Sequence, residues 1–299
     1  MLNTSAYKKE FINMLRNKSE DKNLLKAGLD SLLDAYLAPA DMTEKFRTAL
    51  KKECLFRRYA SEQQLDQADG NIIAMASTGT AAITADSGLF PEESDRFQRI
   101  SYGSYKIASL CKLNHKFITD TKFDIEGYLV NEFARRFGRA EEKVLLTGRG
   151  NNEPHGLLLV TESISTAESS RISFDDVINL YFSLGSEYRA GAIWIMNDET
   201  ALHLRTLKDQ NGNYLWHPLS DSLLGKPVAI SPYMPSINSG KKAILFCDLS
   251  YFWLLERQAL TIKGLFELFA AEDQIGYAAY ERLDGKLIRP EACRALTVA

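Results

Sequence analysis

The chain has 299 residues, 45% hydrophobic and 25% charged, with a formal net charge of -3, the profile of a water-soluble globular protein of one or two domains. With 36 basic against 39 acidic residues, it lacks the basic excess that gripping nucleic acid phosphate by phosphate requires. Cys54, Cys111, Cys247 and Cys293 are scattered without a CxxC spacing, which argues against a zinc site or a disulfide framework, suits a reducing cytoplasm and predicts four buried small hydrophobes.

Lys8 and Lys9 are followed only by Phe11, Ile12, Met14 and Leu15 before Arg16, an apolar run too short for a signal peptide. Residues 1–60 carry two helical patterns, Tyr7 to Leu15 and Met42 to Tyr59, separated by the helix-breaking LAPAD at Leu37 to Asp41. They read as an arm. From Ser61 to Ser104 lysine disappears and small residues dominate. Short alternating stretches, NIIAMAS and AAITA, flank STGT ahead of the acidic PEESD, which predicts an extended two-stranded ribbon with a turn at Gly79. With so few large side chains the ribbon cannot form a core, so it must lie on its own body or on a neighbour. Its uncharged run, Gly70 to Ala85, is too rich in Ala, Ser, Thr and Gly to span a membrane.

A long helix is predicted from Asp124 to Thr147, where Ile125, Leu129, Phe133, Phe137 and Val144 recur at helical spacing with Tyr128 and Ala140 on the same face. Asp124 suits the N-cap and Gly148 the C-cap. Such a spine would be on the order of 36 Å long at about 1.5 Å per residue, about twice a typical globular helix. The glycine loop that follows, within LLTGRGNNEPHGLL (Leu145 to Leu158), invites a phosphate-binding reading. The order of elements opposes it. A phosphate cradle needs a helix N-terminus after the glycines, whereas here a helix ends at them and its dipole repels anions. The loop, marked by Gly148, Gly150, Pro154 and Gly156, reads as a structural joint.

Beyond it, Ser173 to Arg189 and Asn197 to Asp209 read as helices around a buried strand, GAIWIM. Tyr214 and Trp216 of DQNGNYLW alternate like a strand packed on a core. Four more strand-like runs follow, AILFC, YFWLLER, ALTIKG and KLIRP, with Asp284 and Gly285 as a hairpin turn before the last.

Chemistry is sparse. No GxSxG elbow accompanies His115, His155, His203 or His217. Glu199 and His203 stand four apart on a helix, but ExxxH without a second histidine and a third ligand reads as a solvated face. Glu92, Glu93 and Asp95 cluster on the ribbon, where carboxylates are solvated or set against a partner's basic residues. Arg135, Arg136 and Arg139 on the spine are their candidate counterparts across a subunit contact. No catalytic residue, cofactor site or metal site is expected.

Arm, lysine-free ribbon, spine helix, TGRGNNEPHGLL, IWIMNDETALHLRTLKDQNGNYLW, LLGKPVAISPYMP and a terminal β region follow in an order that resembles the Hong-Kong-97-type major capsid protein family of tailed bacteriophages. The specific matches are Gly148, Gly150, Pro154 and Gly156; the W-x-MN element at Trp194 to Asn197; LKD-x-NG at Leu207 to Gly212; Gly225 to Val228; and Met234 with Pro235.

The resemblance implies an α+β fold with an N-terminal arm over 1–60, an extended loop over 61–103, a peripheral domain with the spine helix over 104–152 and 246–289, and an axial domain over 153–245 and 290–299. It implies a virion subunit without enzymatic activity, assembled in the host bacterial cytoplasm into hexamers and pentamers around double-stranded DNA that it binds without sequence specificity. A portal, a separate scaffold protein and a possible decoration protein are the further partners; no membrane is involved. Some members carry a scaffolding segment ahead of the arm; the residues here are too few for one, so a separate scaffold or a chain trimmed or encoded short is expected. No lysine lies between Lys52 and Lys106, so the loop-lysine isopeptide cross-link of some members is not expected. An encapsulin-type nanocompartment shell is the alternative of the same fold, and a soluble α/β ligand-binding enzyme is the more distant one.

Overall fold

The computed structural model describes residues 4–19, 22–26, 29–30, 35–67, 69–77, 96–120, 122–169, 171–217 and 220–299. The segment expected as an arm packs its apolar faces into the main core. Helix α1 (Ser5–Leu15), whose Tyr7 N–H donates to Thr4 Oγ1, turns Tyr7, Phe11, Met14 and Leu15 inward. Short pieces α2 (Lys22–Leu25), β1 (Leu29–Asp30) and β2 (Ala35–Leu37) lead to α3 (Ala40–Glu53), which buries Met42, Phe46 and Leu50 at i, i+4, i+8. The helix expected to continue to Tyr59 instead breaks at Cys54, whose backbone is extended, before α4 (Leu55–Tyr59). A buried carboxylate drives the break: Glu142 accepts the Leu55 N–H at 3.0 Å. The kink turns Leu55 and Phe56 into a second core.

Strand β3 (Ser61–Gln64) follows, then β4 (Gly70–Ser77) and β5 (Arg96–Tyr102), which pair antiparallel as the expected ribbon. The Gly79 turn lies outside the described residues. Strand β6 (Tyr105–Asn114) and α5 (His115–Thr119) precede the spine, α6 (Ile125–Thr147), a 23-residue helix. Its Asp124 cap accepts from the Gly127 N–H at 3.0 Å. Ile125, Leu129, Phe133 and Phe137 are buried as the spacing predicts, while Tyr128 is 38% exposed. The spine passes so close to the break at Cys54 that a Cβ on Gly138 would stand 2.6 Å from Glu53 Cβ.

The remaining elements are α7 (Leu157–Val160), β7 (Glu162–Ser165), α8 (Phe174–Ser183), α9 (Ser186–Arg189), β8 (Ile193–Met196), α10 (Asp198–Arg205), β9 (Ser222–Leu223), β10 (Lys226–Ile230), β11 (Lys242–Cys247), β12 (Phe252–Leu265), β13 (Gln274–Leu287) and β14 (Cys293–Thr297). Helix Ser173 to Arg189 is thus two helices, divided where Leu184 turns extended and buries its side chain. Helix α10 stops at Arg205 rather than Asp209, because Asp209 closes its own turn by accepting the Asn211 and Asn213 N–H groups.

Among the described residues the strands form two six-stranded sheets and the ribbon. The first sheet runs β1-β2-β12-β13-β6, with β3 parallel to β12. One face presents Ile262, Ile275, Tyr277, Ala279, Cys111 and Leu113 to α1, α3 and α6. The second runs β7-β14-β11-β8-β10-β9, and all four side chains of β8 are buried. Trp194 stacks on Phe246 at 4.1 Å between ring centres and donates its indole N–H to Leu223 O. A third cluster, with Phe56, Leu145, Leu157, Ile195, Leu245 and Phe252, joins the two sheets.

Three expectations are corrected here. Asp284 and Gly285 lie inside β13, not in a turn. The glycine is there because α6 and β12 press on the strand: a Cβ would meet Leu145 Cδ2 at 2.5 Å and Phe252 Cζ at 2.6 Å. YFWLLER and ALTIKG accordingly belong to one bulged strand, β12, and the reversal into β13 falls at Asp273, which takes a left-handed φ of 53°. Tyr214 makes only an isolated bridge to Lys208, while Trp216 is buried beneath Arg205. Cys247 and Cys293 are joined as a disulfide across β11 and β14, their positions directly opposed in the register. Cys54 and Cys111 are the buried free thiols.

Candidate functional site

The joint at the end of α6 is a small closed loop. The Gly148 N–H donates to Val144 O, the Arg149 N–H to Glu153 Oε1, and the Gly156 N–H to Gly148 O. Those three donors are therefore spent inside the loop. Gly150 has φ of +80°, where only glycine sits without strain. Gly148 and Gly156 are required for a different reason, close approach: Cβ atoms there would stand 2.5 Å from Val144 O and from Leu146 O respectively. Pro154 lies in the same crossing. Leu145, Leu146 and Leu157 anchor both ends of the loop in the core between the sheets.

Between α4, α6 and the first sheet lies a buried charge cluster that sequence reasoning did not find. Arg57 of α4 is wholly buried, and Glu141 of α6 accepts from its Nε at 3.0 Å and from Nη2 at 2.6 Å. Glu281 of β13 stands 3.6 Å from Arg57, Glu256 of β12 and Glu62 of β3 each 3.9 Å. Arg47 of α3 donates to Glu256 at 2.8 Å. Burial alone would depress Arg57, but its carboxylate neighbours, Glu141 foremost, outweigh it and hold the guanidinium charged. Glu281 is fully buried and neither carboxylate oxygen receives a hydrogen bond. Burial, reinforced by the charge of Glu141, pushes its carboxyl well above the usual range. The sequence signal was a charged residue on an apolar stripe: Glu141 follows Phe133 and Phe137 at i+4 spacing, and Glu281 follows Tyr277 and Ala279 on the inward face of β13.

The ribbon rests on the body by one face only. Ile72 and Ile100 are half-buried, Ala74 is buried, and Gln98 Nε2 donates to Ile288 O at 2.8 Å. Among the described residues the other face is bare: Ile73 is 66% and Phe97 63% exposed, and Met75 is paired opposite Phe97. Contiguous apolar surface of this kind on one face of a two-stranded sheet asks for cover.

Of the residues singled out in the sequence, Glu92, Glu93 and Asp95 lie outside the described residues. Arg135 and Arg136 both pair with Glu132 of their own helix, and Arg136 also donates to Leu110 O on β6 at 2.6 Å. Arg139 is exposed beside a groove of about 560 Å³ shared with Lys52, Arg58 and Tyr233. His203 Nε2 lies 2.9 Å from Ile172 O. Among the described residues no three His, Cys, Asp or Glu side chains gather as metal ligands, and no helix is long and apolar enough to cross a membrane.

Comparison with known proteins agrees with this geometry. The family model described as the phage capsid family matches residues 34–298. No curated protein matches. Among solved structures, the capsid of a native GTA particle is 27% identical with a TM-score of 0.68, covering 84% of this chain and 90% of that one. The capsid of an empty GTA particle is 26% identical with a TM-score of 0.70, covering 83% and 90%. A Microbacterium phage Oxtober96 structure shares the fold at 17% identity, with a TM-score of 0.59 over 82% of this chain and 90% of that one.

Proposed function

Because this chain belongs to the phage capsid family, as a major capsid protein with the Hong-Kong-97-like α+β fold, we propose that its copies form the hexamers and pentamers of an icosahedral head that encloses double-stranded DNA. In this reading the sheet of β12, β13 and β6 with α6 is the peripheral domain, and the sheet of β8, β11 and β14 with α8 and α10 is the axial domain that meets its copies at the capsomer centre. Assembly takes place in the host bacterial cytoplasm, with a portal, a separate scaffold protein and possible decoration as further partners.

The observation that carries the proposal is the ribbon. Ile73, Met75 and Phe97 are held out on a two-stranded element that has no second layer among the described residues, and a neighbouring copy supplies that layer. The net charge of -3 is compatible with a wall around DNA, since packaged DNA can retain its own counterions and the wall need not neutralise each phosphate.

The test is size-exclusion chromatography of the purified chain, alone and co-expressed with its neighbouring genes, with negative-stain microscopy of the heaviest fraction. Capsomers or closed shells are expected from the full chain. Deleting residues 70–95 is expected to leave a folded body that makes no stable shell. A full chain that stays monomeric with its neighbours present, or normal shells from the deletion, would overturn the proposal. Shells that hold protein instead of DNA would return the encapsulin-type alternative.

A further inference from the structure

We infer that the solvent face of the spine helix binds the sugar–phosphate backbone of the enclosed double-stranded DNA, an inference that rests on the shell reading above. Helix α6 is charge-sided. Its exposed positions from 131 to 147 are Asn131, Arg135, Arg139, Lys143 and Thr147, one every four residues and none of them acidic. At about 1.5 Å of rise per residue, successive cations stand about 6 Å apart along one stripe. The carboxylates of the helix are buried or half-buried and are spent there. Glu126 pairs with Lys45 at 2.6 Å, Glu132 with both Arg135 and Arg136, and Glu141 with Arg57 at 2.6 Å. Glu142 accepts from the Leu55 N–H at 3.0 Å and from the Ser231 hydroxyl at 2.6 Å. Among the described residues no carboxylate pairs with Arg139 or Lys143, nor with Lys51 or Lys52 at the end of α3.

The stripe borders the groove of about 560 Å³ where α6 meets the break between α3 and α4, and Lys52, Arg58 and Arg139 line it together with Tyr59 and Tyr233. Arg58 donates to Lys51 O at 3.2 Å and to Lys52 O at 3.3 Å, which covers the negative end of α3. Of the two carboxylates in the groove, Glu142 is spent, and the exposed Glu53 is outnumbered by the cations around it.

Two observations name the occupant. The first is charge. In a chain of net charge -3, cations gathered along one helix face are the footprint of a phosphate backbone, and Arg, Lys and Tyr are side chains that hold phosphate oxygens. The second is the lack of an apolar centre. A protein partner is met by an apolar core inside a polar rim, whereas every exposed position from 131 to 147 is polar or basic, which suits a uniformly charged polymer. Helices α1, α3 and α6 cover one face of the first sheet, and a closed shell turns the same side of every copy to its lumen, so the stripe repeats over the whole wall. The contact stays sparse, about four phosphates per copy, as a chain without an overall basic excess requires. In this reading Arg139, expected from the sequence at a subunit contact, faces the nucleic acid instead.

Salt titration tests this. Binding of a short fluorescein-labelled DNA duplex of mixed sequence to the purified full chain is followed by anisotropy over a range of salt concentrations. Arg139→Gln with Lys143→Gln is expected to lower affinity about tenfold or more at low salt, and to flatten the slope of log K against log salt by about 0.9 for each lost contact. Lys106→Gln with Lys112→Gln, an equal loss of charge on the face of the first sheet turned away from the helices, is expected to change neither. Because a charge-depleted variant can assemble badly, DNA-filled and DNA-free particles of the wild-type chain are also acetylated and read by peptide mass spectrometry. Lys52 and Lys143 are expected to react several-fold faster in the DNA-free particle, with Lys106 and Lys112 equal in both. A double variant at 139 and 143 with the wild-type slope, a wild-type chain whose duplex binding ignores salt, or equal acetylation of Lys52 and Lys143 in the two particles would overturn the inference and leave the shell reading intact. A double variant that binds the duplex normally yet forms no particle would assign the stripe to a protein partner and overturn it likewise. A wild-type chain that forms no particle with its neighbouring genes present would sink the shell reading and, with it, enclosed DNA as the occupant.

Discussion

Replacing Glu281 by glutamine should flatten the pH dependence of stability above the acid range. Its carboxyl is raised in the folded protein by burial and by Glu141. Such a group contributes stability that is fully present below the unfolded carboxyl pKa of about 4.3 and is lost as pH rises toward the folded value. The greatest slope a single group can impose is about 1.4 kcal/mol per pH unit. Glutamine keeps the shape but cannot ionise. Near pH 5 the wild type and Glu281→Gln should therefore match within about 1 kcal/mol. Above that the wild type should fall away from the variant by up to about 1.4 kcal/mol for each unit within the window. The measurement is denaturant unfolding of the purified chain, followed by tryptophan fluorescence at a series of pH values. Taking the difference between the two proteins cancels every other titrating group. Arg57→Met supplies the opposite perturbation: Glu141 loses its bidentate partner while wholly buried, at a cost of about 3–5 kcal/mol. Parallel pH profiles for wild type and Glu281→Gln would refute the protonated-acid account.

Two further outcomes follow from the backbone and the cysteines. Gly156→Ala should abolish folding or assembly, because its Cβ would stand 2.5 Å from backbone atoms of Leu146 and Gly148, whereas Gly212→Ala, at φ +84° with nothing within 4 Å, should cost only about 1–2 kcal/mol; equal melting temperatures for the two variants would contradict the close-approach argument. Thiol titration of the denatured, unreduced chain should find only Cys54 and Cys111, and reducing the Cys247–Cys293 bridge, which spans 46 residues, should lower stability by up to about 4 kcal/mol on the chain-entropy estimate; four reactive thiols would remove the disulfide.

Elements whose physics is local were legible in the sequence. The spine announces itself through Leu129, Phe133 and Phe137 at helical spacing between Asp124 and Gly148, and the joint through an order of helix and glycines that excludes phosphate. Where the outcome depended on a partner distant in sequence, local rules misled. Asp-Gly at 284 and 285 is turn chemistry by dipeptide, yet the glycine answers to Leu145 and Phe252 pressing on a strand. The break at Cys54 is invisible locally because it is made by Glu142, which lies 87 residues away from Leu55 in the chain. The Cys247–Cys293 bond likewise depends on the register of β11 against β14, which spacing in the sequence does not encode. For the candidate site, the ribbon's lack of a core was legible from composition, but its counterpart was not. Arg135 and Arg136 each pair with Glu132, one helical turn away, within their own chain.

The buried cluster also decides which part of the ribbon can move. Quasi-equivalent positions in a shell require some segment to take more than one conformation, and displacing α4 and β3 relative to α6 and the sheet would pull Arg57 away from Glu141, Glu256 and Glu281. Separating buried charges from their partners costs about 3–5 kcal/mol, more than a contact of the Ile73 or Phe97 kind returns, at about 1.5–3 kcal/mol per side chain. The Leu65 N–H is still held by Glu256 O at 2.8 Å, so the fixed root extends to that residue. Beyond it come Asp66 and Gln67, both exposed, and Gly70 at the start of β4; on the return strand the corresponding place is Gly103, between β5 and β6. The charge cluster thus holds the ribbon's root to the spine and the sheet.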